Sequence, residues 1–173
     1  MTTTPSPANR YRLTPRLAAT IAFVVTLAAI AGAWGSQIFG GLVPCELCLE
    51  QRLPYYFALP LLAVLLLFWH RLPRMAWYGL LAAVMALFAW GLYLGIYHAG
   101  VEWRFWQGPT ACTGTGLDVS FEDLSNINAT RIVPCDAVQF RFLGISLAGY
   151  NALVMLGAIV LLAWAAVKGR QAS

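Results

Sequence analysis

Long uncharged runs alternate along the chain with short stretches in which nearly all the charge collects. Residues 17–43, 53–69, 75–97 and 142–167 contain no Asp, Glu, Lys or Arg. A helix needs roughly 17–25 mostly apolar residues to cross a hydrocarbon layer. The second run only just reaches that length, so its helix is expected to start earlier, near Pro44, with polar residues at its mouth. The pattern predicts an all-α membrane protein, a four-helix transmembrane bundle with spans at about 17–43, 45–69, 75–98 and 142–167. These form one membrane domain, 17–167, between tails 1–16 and 168–173. The turn at 70–74 is short, so spans two and three are expected to pack as an antiparallel hairpin.

Residues 99–141 form the one long loop. Leu117, Phe121 and Leu124 recur there at i, i+4 and i+7 with acids between them, which predicts a short amphipathic helix lying on the membrane. Trp103, Phe105 and Trp106 place the start of the loop at the interface, and Trp69 and Trp77 mark the other boundary. Small residues recur in span one (Ala28, Gly32, Gly35) and span three (Gly91, Gly95), where they are expected to let helices approach closely.

Composition agrees with the run lengths: 60% of residues are hydrophobic, only 10% are charged, and mean hydropathy is +0.69. The net charge of +4 is a topology signal rather than a nucleic-acid signal. Arg10, Arg12, Arg16, Arg71, Arg74, Lys168 and Arg170 lie on one side of the predicted membrane, with no acid among them. The other side holds Arg52, Arg104, Arg131 and Arg141 together with all seven acids. Lys and Arg favour the cytoplasmic side, so seven of the 11 basic residues place both termini in the cytoplasm. The Ala31-Gly32-Ala33 stretch resembles a signal-peptide cleavage site. The run continues past it to Val43, however, and cleavage would leave three spans with misplaced charges.

All four cysteines fall on the extracytoplasmic side. Cys45 and Cys48 form a C-x-x-C at the mouth of span two, and Cys112 and Cys135 lie in the long loop. Thiols facing an oxidising compartment tend to pair, and four cysteines permit three connectivities. Two structural disulfides are the plainest reading. A two-residue spacing constrains the unfolded chain little, however, and suits reversible redox work in which one thiol resolves a mixed disulfide on the other. Pro44 fits the first turn of a helix, whose N-terminus favours a thiolate. On a continuous helix Cys45, Cys48 and Arg52 share one face, where the guanidinium favours a thiolate or an anionic electron acceptor. Taken alone, Arg52 reads as a residue snorkelling to the interface. Zinc is disfavoured because no second close-spaced pair accompanies the C-x-x-C, so no metal is expected.

The string Pro44-Cys45-Glu46-Leu47-Cys48-Leu49-Glu50-Gln51-Arg52, the two loop cysteines, and Phe142-Leu143-Gly144 opening the last span together resemble the bacterial disulfide bond formation protein B (DsbB) family. The resemblance covers about residues 17–167. It implies a quinone-dependent thiol oxidoreductase of the inner membrane that reoxidises a periplasmic thioredoxin-fold dithiol oxidase (DsbA-like). The disulfides would be Cys45–Cys48 and Cys112–Cys135. Electrons would pass through Cys112, Cys135, Cys45 and Cys48 to ubiquinone or menaquinone, with Cys48, Arg52 and His98 at the quinone. A vitamin K epoxide reductase-like protein is the nearest rival, but there the active pair lies in the last span and the loop cysteines come earlier. A non-enzymatic membrane subunit with two static disulfides is the other alternative.

Overall fold

A computed structural model of the protein describes residues 13–109 and 134–169. It is mostly helical. Helix α1 spans Pro15–Ile38. It starts where Thr14 Oγ1 accepts from the Leu17 N–H at 3.2 Å and Pro15 takes the first helical position. The missing proline N–H costs nothing there. The helix stops short of residue 43 because Gly41 adopts φ +64 and the Leu42 N–H turns back to the Ser36 carbonyl. Glycine takes that conformation without steric cost, so the apolar run outlasts the helix.

The second predicted span is broken. Helix α2 covers Glu46–Glu50 and α3 covers Leu53–Leu67, with Gln51 and Arg52 between them. Pro54 sits at the start of α3 and Pro60 lies inside it. At 15 residues, α3 reaches about 22 Å against a hydrocarbon core of about 30 Å. Helix α4, Arg74–Glu102, is longer than predicted and carries one further turn beyond His98.

The last run does not begin as helix. Arg141–Phe142 (β1) and Ile145–Ser146 (β2) pair antiparallel around Leu143 and Gly144, at φ 49 and 81. Two positive-φ residues make the tight turn that such a hairpin needs. Helix α5, Leu147–Gly169, follows directly. Of these elements α1, α4 and α5 are long and apolar enough to cross a membrane. The predicted amphipathic helix at 117–124 lies outside the described residues.

Four helices pack in a ring: α5 lies against both α4 and α1, and α3 closes the ring against α4 and α1. The core is dry. Phe88, Leu62, Leu65, Leu81, Met155 and Leu162 are fully buried there. Leu17, Val24, Leu67, Leu156 and Val160 point outward and are exposed, as lipid-facing side chains would be. Trp69 and Trp77 meet edge to face at 5.1 Å and hold the α3–α4 turn.

The two small-residue stripes serve different purposes. A Cβ on Gly91 would meet Met155 Cε at 2.7 Å, and one on Gly95 would meet the Ala152 backbone at 3.0 Å. The α4 glycines therefore allow α5 to approach, as expected. At Gly32 and Gly35 a Cβ would meet nothing within 4 Å. The α1 stripe is not a packing seam, and Gly32 borders a cavity instead.

Candidate redox site

The broken second span places the chemistry. A break in a helix at membrane depth is tolerated where its freed backbone groups line a cavity or are bonded by neighbours. Here Cys45 caps α2, its sulfur accepting from the Cys48 N–H at 3.3 Å. Both are free thiols, and their sulfurs lie 2.7 Å apart, within reach of a disulfide bond. Arg52 sets a positive charge near Cys48, and Glu102 a negative one.

Arg52 does not share a helix face with the cysteines, because α2 ends before it. Nor does it snorkel: it is buried, 8% exposed. Its Nη1 donates to Gln37 Oε1 at 2.9 Å and its guanidinium lies 5.0 Å from the Trp34 ring centre. Trp34 in turn donates to the Tyr56 hydroxyl at 3.0 Å. A cation held by one amide, the Ala33 carbonyl and one ring, with no carboxylate paired to it among the described residues, keeps its charge available to an anion.

His98 is buried at 3% exposure and anchors a directed hydrogen-bond chain. Tyr55 donates to Asn151 Oδ1 at 2.5 Å, Asn151 Nδ2 donates to Gln51 Oε1 at 2.7 Å, and Gln51 Nε2 approaches His98 Nδ1 at 2.6 Å. Because Gln51 Nε2 can only donate, Nδ1 accepts and Nε2 carries the hydrogen. That N–H faces the Cys135 carbonyl at 3.2 Å and the Cys45 sulfur at 3.7 Å. Cys45, Cys48 and His98 hold ligand atoms within 4.8 Å of one another, close enough for a metal ion. The tautomer opposes that use. A ligating Nε2 would require Nδ1 to donate, which reverses the Gln51 and Asn151 amides.

Loop and bundle meet at this point. Cys135 is 1% exposed and packs with Cys45, Leu47 and Val101. It is disulfide-bonded, and its partner lies outside the described residues. Gln139 clamps the segment after it, exchanging two hydrogen bonds with the Val43 backbone at 3.1 and 2.5 Å. Glu46 and Glu50 are exposed, as expected. A cavity of about 410 Å³ opens beside the dithiol, bordered by Gly32, Ala33, Cys48, Arg52, His98 and Val154. The family model for disulfide bond formation protein DsbB matches residues 15–165. The chain belongs to the DsbB family. The DsbB match spans all four long helices, the C-x-x-C, both loop cysteines and the hairpin before α5. Membership gives the chain a role in disulfide formation, as an oxidoreductase and integral membrane protein. Comparison with curated proteins and with solved structures found no match.

Of the six residues singled out by sequence, Cys45, Cys48, Cys135, Arg52 and His98 converge here; Cys112 lies outside the described residues. Gln37, Gln51, Tyr55, Glu102 and Asn151 were missed. One signal was available: Asn151 is the only amide side chain in the last apolar run, and a polar group in such a run generally has a partner.

Proposed function

We propose that this DsbB-family protein is a thiol:quinone oxidoreductase. It reoxidises a periplasmic thioredoxin-fold dithiol oxidase and delivers the electrons to ubiquinone or menaquinone in the inner membrane. The observation that carries the reading is the close Cys45–Cys48 pair at the edge of an apolar cavity that also presents Arg52. In this reading α2 and α3 make the fourth crossing, both termini are cytoplasmic, and loop 99–141 is periplasmic.

The cavity suits such a cofactor. Its walls on α1 are small and apolar (Ala28, Ala29, Gly32), and its size falls in the ordinary range for a small-molecule site. Arg52, Cys48 and His98 are the polar groups that would orient a quinone head, and a bound quinone supplies a two-electron, two-proton sink. The protein's own sulfurs act in sequence. A partner thiolate attacks Cys112 of the Cys112–Cys135 disulfide, the freed Cys135 attacks Cys45, and Cys48 leaves as a thiolate. A thiol that leaves readily as a thiolate speeds exchange, and the Arg52 cation beside the cavity favours that anion. Arg52 holds the negative charge at the cavity, and His98 offers its Nε2 hydrogen between Cys45 and the Cys135 carbonyl.

Trapping tests the order. In Cys135→Ser, a mixed disulfide between Cys112 and the soluble partner accumulates on non-reducing gels. A Cys135→Ser protein that traps nothing, or traps through Cys45, contradicts the route.

A further inference from the structure

The Glu102 side chain is only 7% exposed, it borders the cavity, and its Oε2 has no hydrogen-bond partner among the described residues. A buried carboxylate oxygen without a partner is costly in its charged form, and a carboxyl group that keeps a proton avoids most of that cost. Its surroundings are mixed. Arg141 from β1 favours the charge, the Ser146 hydroxyl at the start of α5 hydrogen-bonds it, His98 Nε2 lies 3.8 Å from Oε1, and the charge acts against a thiolate on Cys48. Between dithiol and acid runs an unbroken line of exchangeable groups. Cys48 and Cys45 sulfurs are 2.7 Å apart, Cys45 lies 3.7 Å from His98 Nε2, and Nε2 lies 3.8 Å from Glu102. Contacts of this length in a ligand-free site commonly tighten when it is engaged.

We propose that Glu102 is the proton store of the site: it takes the proton that Cys48 gives up and holds it beside the cavity until the dithiol is oxidised. The inference rests on the thiol:quinone reading above. In the first step the Cys48 S–H bond breaks and the pair stays on sulfur as a thiolate; its proton replaces the one Cys45 passes to His98 Nε2, and the hydrogen that Nε2 already carried moves to the Glu102 carboxylate. One negative charge thus shifts from Glu102 to Cys48, beside Arg52, and the net charge of the site is unchanged. In the second step the Cys45 S–H bond breaks and the Cys45–Cys48 bond forms. Two electrons then leave for the quinone, accompanied by the Cys45 proton and the stored Glu102 proton. An apolar, buried site would otherwise have to exchange both protons with distant water.

The test uses full-length protein and no quinone, so it can fail independently of the oxidase reading. A reduced-minus-oxidised infrared difference spectrum, taken with a small dithiol reductant, should show a protonated-carboxyl C=O band that shifts in D2O. The band should vanish in Glu102→Gln and return, displaced, in Glu102→Asp. No carboxyl band in the wild-type protein, or a band that persists in Glu102→Gln, overturns the proposal. The wild-type and Glu102→Asp spectra decide the matter even if Glu102→Gln does not fold.

Discussion

The two ends of the helical bundle are built from similar residues and do opposite things. At the end bearing the α3–α4 turn, Ala18, Ala19, Ala22, Leu65, Leu81, Leu162 and Ala165 are fully or almost fully buried, and small residues bring helices into contact. At the other end α1 also carries small residues, yet Gly32 and Gly35 meet nothing, and the space they leave is a cavity. The predicted second span is broken there; Gln51, His98 and Asn151 form a connected polar chain, and Arg52 is held apart from it by Gln37. Polar groups in such surroundings are costly unless each has a partner, which is why the chain from Tyr55 to His98 is continuous. One end stabilises the fold; the other uses that stability to hold a dithiol, a cation and a cavity in register.

Breaking the apolar end should therefore cost stability and leave chemistry intact. Leu81→Ala removes a buried side chain there and is expected to cost about 2–5 kcal/mol, read as a lowered thermal or denaturant midpoint in detergent. Turnover per folded molecule should stay near wild type. The converse holds at the polar end. Arg52→Met keeps much of the side-chain volume but removes the cation, so quinone reduction should fall about 10- to 100-fold in kcat with a much smaller change in melting temperature.

The glycine stripes sharpen the contrast. Gly91→Ala must displace Met155 and should destabilise by about 1–3 kcal/mol. Gly32→Val meets open space, so melting should be unchanged while the apparent KM for quinone rises several-fold. Equal effects at the two positions would erase the distinction drawn between them.

Much of this contrast was legible in the sequence, but not evenly. Run lengths located the three long helices within a few residues at most ends, because hydrocarbon thickness sets a minimum that α1, α4 and α5 each exceed. The charge-free run 53–69 begins where α3 begins, but the expectation of one helix continuing back to Pro44 fails at Gln51 and Arg52, because span length alone does not report a turn. The C-x-x-C, Arg52 and His98 stood out because such groups are rare in these runs. Their geometry did not. Arg52 was read on the same face as Cys48, yet it begins a different helix and bonds to Gln37 on α1. The network around His98 links positions 47 to 100 residues apart, and no local spacing encodes that. The hairpin before α5 depends on the backbone angles of Leu143 and Gly144, where hydropathy alone reads an extra helical turn.

The central claim, that this end of the bundle passes electrons from protein thiols to a quinone, is tested most directly by steady-state quinone reduction. Purified full-length protein in lipid nanodiscs would be supplied with a reduced periplasmic thioredoxin-fold dithiol and with ubiquinone or menaquinone, and quinone loss followed by absorbance. The account predicts multiple turnovers by the wild-type protein and a loss on the order of a thousandfold or more in Cys48→Ser. Wild-type protein that reduces neither quinone, or a Cys48→Ser variant that reduces either at the wild-type rate, would contradict it.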